Sequence, residues 1–516
     1  MKWIGTAALA ACVVMASAFA ETPQRGGRLT ISLNADIRSL EPGINRDGNT
    51  DIIAHQIYEG LVGYRADLTV GPALAESWTV SDDGLVWTFR LRDNAVFHNG
   101  AKLTSAEVKA GWDRLWDNPA WTCKRSFNQP GGLRVVSVEA PDARTIVYRL
   151  EARNALLLAM LANVQCGVIV AHPDSFGPDG KFRAPIGTGP WKLNEWRRGE
   201  FITMDRFAEY GLSPAPGSGY SGARNVYFDQ VIYRVIPDPS AAEAALKTGA
   251  VDVVPDVDEE RAAPLRADGL SVNSSKGLGW NTLLIQTTDP LLKDVRIRRA
   301  IAHAIDLEQI AEIRTDGQAQ PSPSPVSPAM SFFNDSFQVW PEHDPAKARA
   351  LLREAGYRNQ VLKIQTNRRY TGMYDNAVAI QAMLAAVGIR AELEVLDWAT
   401  QLSNYQQGNF QLQSFSFSAR LDTGLAFNSL IADKSKNPWA QWDNPEAIRL
   451  LAESTTETDI GKRAAIFQRL HAMMAEEVPT IGLYFGMMTV ATRPDIRGIA
   501  AWAAGRPLTW GAWRQR

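Results

Sequence analysis

The sequence predicts an α/β protein built from at least two domains, and three observations carry that expectation. The chain has 516 residues, whereas single hydrophobic cores stop growing at roughly 250–300 residues. Short alternating apolar runs of strand type recur from one end to the other. Between them lie helical segments with marked starts and stops, and strands alternating with helices over this length argue for α/β lobes.

Taken in order, the first element is not part of the fold. Lys2 supplies a short positive region, the stretch from Trp3 to Met15 is almost wholly apolar or small, and Ala18-Phe19-Ala20 fits a small-x-small cleavage site before Glu21. This is the layout of a signal peptide over residues 1–20. A competing lipobox, Leu9-Ala10-Ala11-Cys12, would lipidate Cys12, but the apolar run continues through Val13, Val14 and Met15 where a lipoprotein turns polar. The expectation is therefore a soluble exported chain. No later stretch reaches the roughly 18 apolar residues of a membrane span.

Strands are expected at Arg28–Leu33, Val86–Leu91, Thr145–Leu150, 229–236 and 361–366, where apolar and polar residues alternate. Helices announce themselves through their caps. Thr104-Ser105-Ala106-Glu107 is a capping box opening a helix toward Trp116, and Ser240-Ala241-Ala242-Glu243 reads as another, stopped by Gly249. Asp344-Pro345 sets a cap and an N1 proline before 346–355, with Gly356 after it; Asn444-Pro445 repeats the device. Residues 459–478 carry apolar side chains at helical spacing. Loops are expected at 211–224, rich in Gly, Ser and Pro, and at 318–329, which holds four prolines.

Composition excludes some classes. Hydrophobic residues are 45% and charged residues 21%, ordinary for a globular chain. With 54 basic and 56 acidic side chains there is no basic excess, so nucleic acid is not expected as a partner. Some of the 16 tryptophans are candidates for a cleft wall, since an indole offers a wide face and one donor. Cleavage of the leader leaves Cys123 and Cys166, which in an oxidising compartment either pair or stay as two buried thiols.

The catalytic and cofactor motifs fail on context. Gly217-Ser218-Gly219-Tyr220-Ser221-Gly222 matches GxGxxG, but it runs toward a strand rather than opening a helix, so it reads as a connector. No Walker A sequence, HExxH or GxSxG elbow is present, and the six histidines are scattered. Acidic pairs such as Asp82-Asp83 and Glu259-Glu260 read as solvated turns. Catalytic residues, metal ligands and cofactors are thus expected to be none.

Several segments in register resemble the extracytoplasmic solute-binding proteins of ABC importers, family 5, which includes oligopeptide-, dipeptide-, nickel- and glutathione-binding members. They are Ser39-Leu40-Glu41-Pro42, His55-Gln56-Ile57-Tyr58-Glu59-Gly60-Leu61-Val62, Pro72-Ala73-Leu74-Ala75-Glu76-Ser77-Trp78, and Trp87-Thr88-Phe89-Arg90-Leu91-Arg92. Phe97-His98-Asn99-Gly100 and Leu103-Thr104-Ser105-Ala106-Glu107-Val108 follow, then Pro185-Ile186-Gly187-Thr188-Gly189-Pro190-Trp191. Asp294-Val295-Arg296-Ile297-Arg298-Arg299-Ala300-Ile301, Ala304-Ile305-Asp306 and 344–356 complete the set. Most of these read as scaffold. Gly187 and Gly189 permit close backbone approach, and Val295, Ile297, Ala300, Ile301, Ala304 and Ile305 share one helical face. Arg296, Arg298 and Arg299 are left largely solvated, with one placed to tie down a neighbouring loop.

The resemblance implies a two-lobed periplasmic-binding-protein-like α/β fold, class II type, with an extra inserted subdomain. Lobe I would comprise 21–62, 184–275 and a C-terminal return at 487–516; the insert would be 63–183 and lobe II 276–486. It implies a monomeric periplasmic protein that encloses a peptide or other small polar ligand by hinge closure and delivers it to permease subunits in the inner membrane. The alternatives are a secreted hydrolase with an unrecognised site, or a protein that presents ligand to a chemoreceptor or acts on other proteins as a chaperone.

Two segments are expected to reach the ligand. One is the loop Asn45-Arg46-Asp47-Gly48-Asn49, just before a helix expected to start near Asp51 that it would otherwise simply cap. The other is Ser414-Phe415-Ser416-Phe417-Ser418-Ala419-Arg420-Leu421-Asp422, a strand running into a loop at the cleft edge. There Arg420 suits a carboxylate and Asp422 an amine; the competing reading is a salt-bridged loop. Peptide-binding relatives carry an amine-binding aspartate where this chain has Ala419, which puts peptide specificity in question. Trp280 and Trp398 are further candidates as stacking walls.

Overall fold

The computed structural model describes residues 22–44, 47–128, 132–368, 370–457, 459–505 and 507–516. The expected leader, its cleavage site and the lipobox cysteine fall outside the described residues, as do Asn45 and Arg46.

One ten-stranded sheet organises the chain. Its strands are β1 (Arg28–Leu33), β2 (Trp191–Arg197), β3 (Phe201–Arg206), β4 (Gln230–Val235), β5 (Val253–Val254), β6 (Ser271–Ile285), β7 (Leu362–Thr366), β8 (Ala391–Val395), β9 (Leu412–Phe417) and β10 (Thr480–Thr492). Their spatial order is β2-β3-β4-β1-β5-β10-β6-β9-β7-β8. The strands β6 and β10 are the only long ones, of 15 and 13 residues, and pair antiparallel from Ser271↔Thr492 to Leu284↔Thr480. They belong to both halves of the sheet. Five strands on one side make lobe I and three on the other make lobe II. The fold is mixed α/β and two-lobed.

Where the long pair passes between lobes, its register breaks between Lys276 and Trp280. Glycines occupy this crossing at 277, 279 and 486, and a Cβ on Gly277 would collide with the Gly486 carbonyl oxygen. Only glycine lets the two backbones approach this closely.

The caps read from sequence are mostly where expected. Thr104 and Glu107 form the reciprocal capping box of the helix Ser105–Asp117, and Gly249 ends Pro239–Thr248 at φ 78°. Asp344 and Asn444 each cap a helix with proline at its start. One expectation needs correction. The helix assigned to a Ser240 capping box begins earlier, with Asp238 accepting from the Ala241 amide and Pro239 at N1. Glu243, expected to complete that box, pairs with Arg261 instead.

The insert carries an antiparallel four-stranded sheet in the order Ala75–Val80, Val86–Leu91, Thr145–Leu150, Val135–Asp142. Beneath it Cys123 and Cys166 form a disulfide with Cα atoms 5.6 Å apart. Closing a loop of that span stabilises by about 4 kcal/mol in the chain-entropy model. The insert is pinned to lobe I by buried charge. Glu59 accepts from Arg92 Nη2 at 3.0 Å and from Tyr210 Oη at 3.0 Å, with Arg224 Nε 3.9 Å away, all three charged side chains being 2% exposed. Arg92 also donates to the Gly211 carbonyl. The glycine-rich loop is thereby a fixed connector leading into β4.

Lobe II has its own core of Leu283, Ile301, Ile364, Leu384, Leu412 and Ile481, all fully buried. Arg298, expected at the surface with its neighbours, is 7% exposed and donates to the carbonyls of Leu292, Lys293, Glu477 and Val478. Its neighbours reach distant backbone too, Arg296 donating to the Glu354 carbonyl and Arg299 to the Glu476 carbonyl, but Arg298 is the buried one. The insert meets lobe II where the Ala155 amide donates to the Thr455 carbonyl at 2.6 Å.

Candidate functional site

Strand direction decides where a ligand can sit. Strands β1, β4 and β5 run parallel, and β5 and β6 are both antiparallel to β10. So β1 and β6 point the same way, from lobe I toward lobe II. Strand β9 is antiparallel to β6, and β7 and β8 run with β9. The carboxyl ends of both sets therefore face each other across the crossing: Leu33, Val235 and Val254 on lobe I, Thr366, Val395 and Phe417 on lobe II. Ligands of open α/β sheets bind outside carboxyl ends of strands. Helices start on both rims, α1 (Gly48–Ile57), α2 (Pro239–Thr248) and α3 (Glu259–Ala267) on lobe I, α4 (Thr371–Ala386), α5 (Trp398–Gln407) and α6 (Thr423–Asn428) on lobe II.

On the lobe I rim, polar groups largely serve the loops. Asp47 caps α1 by accepting from the Thr50 amide at 2.8 Å. Asn49 donates to Asn34 Oδ1 and the Ala35 carbonyl. Asp36 accepts from the Ile37 and Gly199 amides and from Trp196 Nε1.

The lobe II rim is stiffened from behind by buried amides that the sequence did not single out. Asn367 donates to Gln401 Oε1 at 2.8 Å, Gln401 to the Ser414 carbonyl at 2.9 Å, and Gln413 to Gln365 Oε1 at 2.7 Å. These bonds lock the loop after β7 and the first turn of α5 to β9. On this base sit the candidates. Trp280 is 3% exposed, donates to the Ser322 carbonyl at 2.9 Å, and stacks between Phe417 and Phe485. It walls the crossing rather than standing free. Trp398 opens α5, half-buried, with Tyr370 edge-on at 5.0 Å and Phe415 at 5.7 Å. Ala419 packs on the apolar core.

Asp422 requires a correction. Arg463 grips both its oxygens, at 2.8 and 3.0 Å, and the carboxylate also caps α6 through the Gly424 amide at 2.7 Å. These contacts are those of the competing reading, a salt-bridged loop. The partner lies 41 residues on, and no local pattern marks it.

Arg420 is different. Its hydrogen bonds run to the carbonyls of Ser418 and Ala419, at 3.0 and 3.3 Å, in its own loop. Among the described residues no carboxylate pairs with it. Burial pulls the guanidinium below its ordinary pKa, with Tyr405 nearby acting in the opposite direction. It borders a void of about 10 Å³ shared with Trp280, Phe417, Phe485 and Met330. Larger hollows lie off the rims: about 400 Å³ around Trp502 and Trp510, and about 520 Å³ around Trp340 and His343. Among the described residues no three His, Cys, Asp or Glu side chains come together as a metal site, and no helix is long and apolar enough to cross a membrane.

Two α/β lobes on one shared sheet, with opposed strand ends and a glycine-lined crossing, define a two-lobed solute-binding protein. The chain belongs to the bacterial extracellular solute-binding proteins, family 5: the family model described as the Middle region matches residues 69–439. It is 26% identical over 509 residues to the glutathione-binding protein GsiB of Escherichia coli O1:K1, covering 96% of this chain and 94% of that one. Among solved structures, the periplasmic binding protein DppA of Helicobacter pylori in complex with the peptide STSA aligns with a TM-score of 0.75 at 25% identity, over 96% of this chain and 99% of that one. NikA of Brucella suis in complex with Fe(III)-EDTA aligns with a TM-score of 0.80 at 25% identity, over 92% and 97%. The chain is the substrate-binding component of an ABC importer, a transport protein that captures its solute between two lobes.

Proposed function

We propose that the chain is exported by the leader at 1–20, cleaved before Glu21, and works as a periplasmic monomer that encloses a small polar ligand, peptide or peptide-like in size, and passes it unchanged to inner-membrane permease subunits. The observation that carries this reading is the crossing. Two strands run uninterrupted through both lobes, and their register breaks at three glycines between the facing rims. A sheet that is stiff on either side and loose at one line lets lobe closure be driven by a ligand's differential affinity for the closed state. Relatives seen with a tetrapeptide and with a metal chelate support a small polar solute without naming this one. Two of the buried histidines are bonded to the backbone. His98 and His471 are held neutral, their pKa values lowered by burial to about 4, and each is bonded to a backbone carbonyl.

The test is small-angle scattering on the exported protein, stripped of solute and then resaturated with whatever co-purifies, identified by mass spectrometry before and after. Expected are a smaller radius of gyration on binding, an unmodified ligand and an N-terminus at Glu21. An unchanged radius at saturation, or a ligand returned in pieces, overturns the reading.

A further inference from the structure

We infer that Arg420 is the anion-binding residue of the cleft, and that the transported solute presents a carboxylate to the lobe II rim. The inference rests on the solute-capture reading above and narrows its ligand class.

Charge accounting along one edge leads to it. The rim that follows β7, β8 and β9 offers the carboxylates Asp397 and Asp422, and each caps a helix. Asp397 caps α5, accepting from the amide and hydroxyl of Thr400. Asp422 is held by Arg463 and the Gly424 amide. The cations of the same edge are not balanced in this way. Arg368 lies over the Tyr374 ring at 3.8 Å and donates to its hydroxyl, and Arg420 reaches only the carbonyls of its own loop. Among the described residues neither forms an ion pair.

A half-buried guanidinium without a counter-charge costs stability, because carbonyl dipoles replace only part of its hydration. The neighbours of Arg420 make the deficit sharper. The void beside it is walled by Trp280, Phe417, Phe485, Met330 and Ser418, none of which carries charge. Arg420 keeps N–H donors beyond the one used on its own loop, in the planar fork that matches a carboxylate. A void of about 10 Å³ is no larger than a single water, so a solute must meet Arg420 from outside it. Both bonds to its own loop start from Nη1, so Nε and Nη2 are the edge that a carboxylate would meet, with the body of the solute lying between the rims.

The experiment uses the full mature chain and three probe pools: N-acetylated dipeptide carboxylates with small dicarboxylates, free zwitterionic dipeptides, and dipeptide C-terminal amides. Binding is read by calorimetry on wild type, Arg420→Gln and Arg420→Lys, with melting of each unliganded variant as the folding control. Expected is binding by members of the carboxylate-bearing pools and none by the amides. Affinity should fall at least about 30-fold in Arg420→Gln, with part of it restored in Arg420→Lys, which keeps the charge and loses the fork. Amides that bind as well as carboxylates, or carboxylates that bind Arg420→Gln as tightly as wild type, overturn this inference and leave solute capture standing. No binding by any pool to a well-folded wild type counts against both readings.

Discussion

Two sets of arginines in this molecule meet opposite fates. Where the insert meets lobe I, Arg92 and Arg224 are 2% exposed and converge on Glu59, itself 2% exposed, with Tyr210 adding a hydrogen bond. In lobe II, Arg420 is half-buried at the rim with carbonyls alone for partners. The first set is enclosed by protein that supplies the opposite charge. The second is left with donors to spare where the two lobes face each other. The difference separates fold from function: a cation satisfied from within holds the chain together, and one left unsatisfied at a cleft is kept for something from outside.

The comparison breaks most visibly at Glu59. Glu59→Gln leaves two buried guanidiniums facing each other without a counter-ion, and removing one partner of a buried pair costs about 3–5 kcal/mol. Denaturant unfolding should show that loss, while ligand affinity of the molecules that remain folded should stay within twofold. A loss of affinity with unchanged stability would place Glu59 in the site and erase the contrast.

Acid sharpens the same contrast, because it charges groups that both lobes bury neutral. His98 and His471 titrate at about 4 in the folded chain, burial being the dominant cause, against about 6.5 when unfolded. The unfolded state takes up protons first, so stability is complete above pH 6.5 and is lost as pH falls from 6.5 toward 4. Each histidine accounts for roughly 3 kcal/mol at the acid end. Melting between pH 7.5 and 4.5 should show this slope, and His471→Gln should flatten it. An unaltered slope in that variant would assign the acid sensitivity elsewhere.

These contrasts mark how far the sequence could be read. Caps were legible because they are local: Thr104 and Glu107 lie three residues apart, and Gly249 directly follows its helix. The α/β class followed from the same short-range signals, and Asp238-Pro239 was misread by two residues because Ser240 offers a similar pattern. The rim segment 414–422 was legible as a strand running into a loop, and β9 ends at Phe417. What that loop does was not legible. Asp422 and Arg420 look equivalent in sequence, and only Arg463, brought in from a distant helix, tells them apart. The Glu59 cluster and the amides Asn367, Gln401 and Gln413 were hidden for the same reason, since each joins elements that meet only after the sheet has formed.

Asp422 is accordingly the next test. Asp422→Asn weakens a bidentate ion pair whose side chains are 10% and 14% exposed, and leaves Arg463 half compensated. About 2 kcal/mol of unliganded stability should be lost, with affinity unchanged once the protein is folded. Calorimetric titration alongside unfolding checks both arms. Intact stability with lost affinity would return Asp422 to the cleft and reopen the question of an amine site.

The smallest expected effect is the most discriminating. Arg420→Gln removes a charge that no carboxylate among the described residues compensates and keeps a group able to donate to the Ser418 and Ala419 carbonyls. The unliganded protein should therefore melt within about 0.5 kcal/mol of wild type, the range of substitutions that break no buried pair, and any shift should be upward, because an uncompensated desolvated cation has been relieved. A rise in stability together with lost binding is what a residue retained for its ligand produces. A fall of several kcal/mol would show that the guanidinium holds the loop after β9 in place, and Arg420 would then belong with Arg92 and Arg224 rather than opposite them.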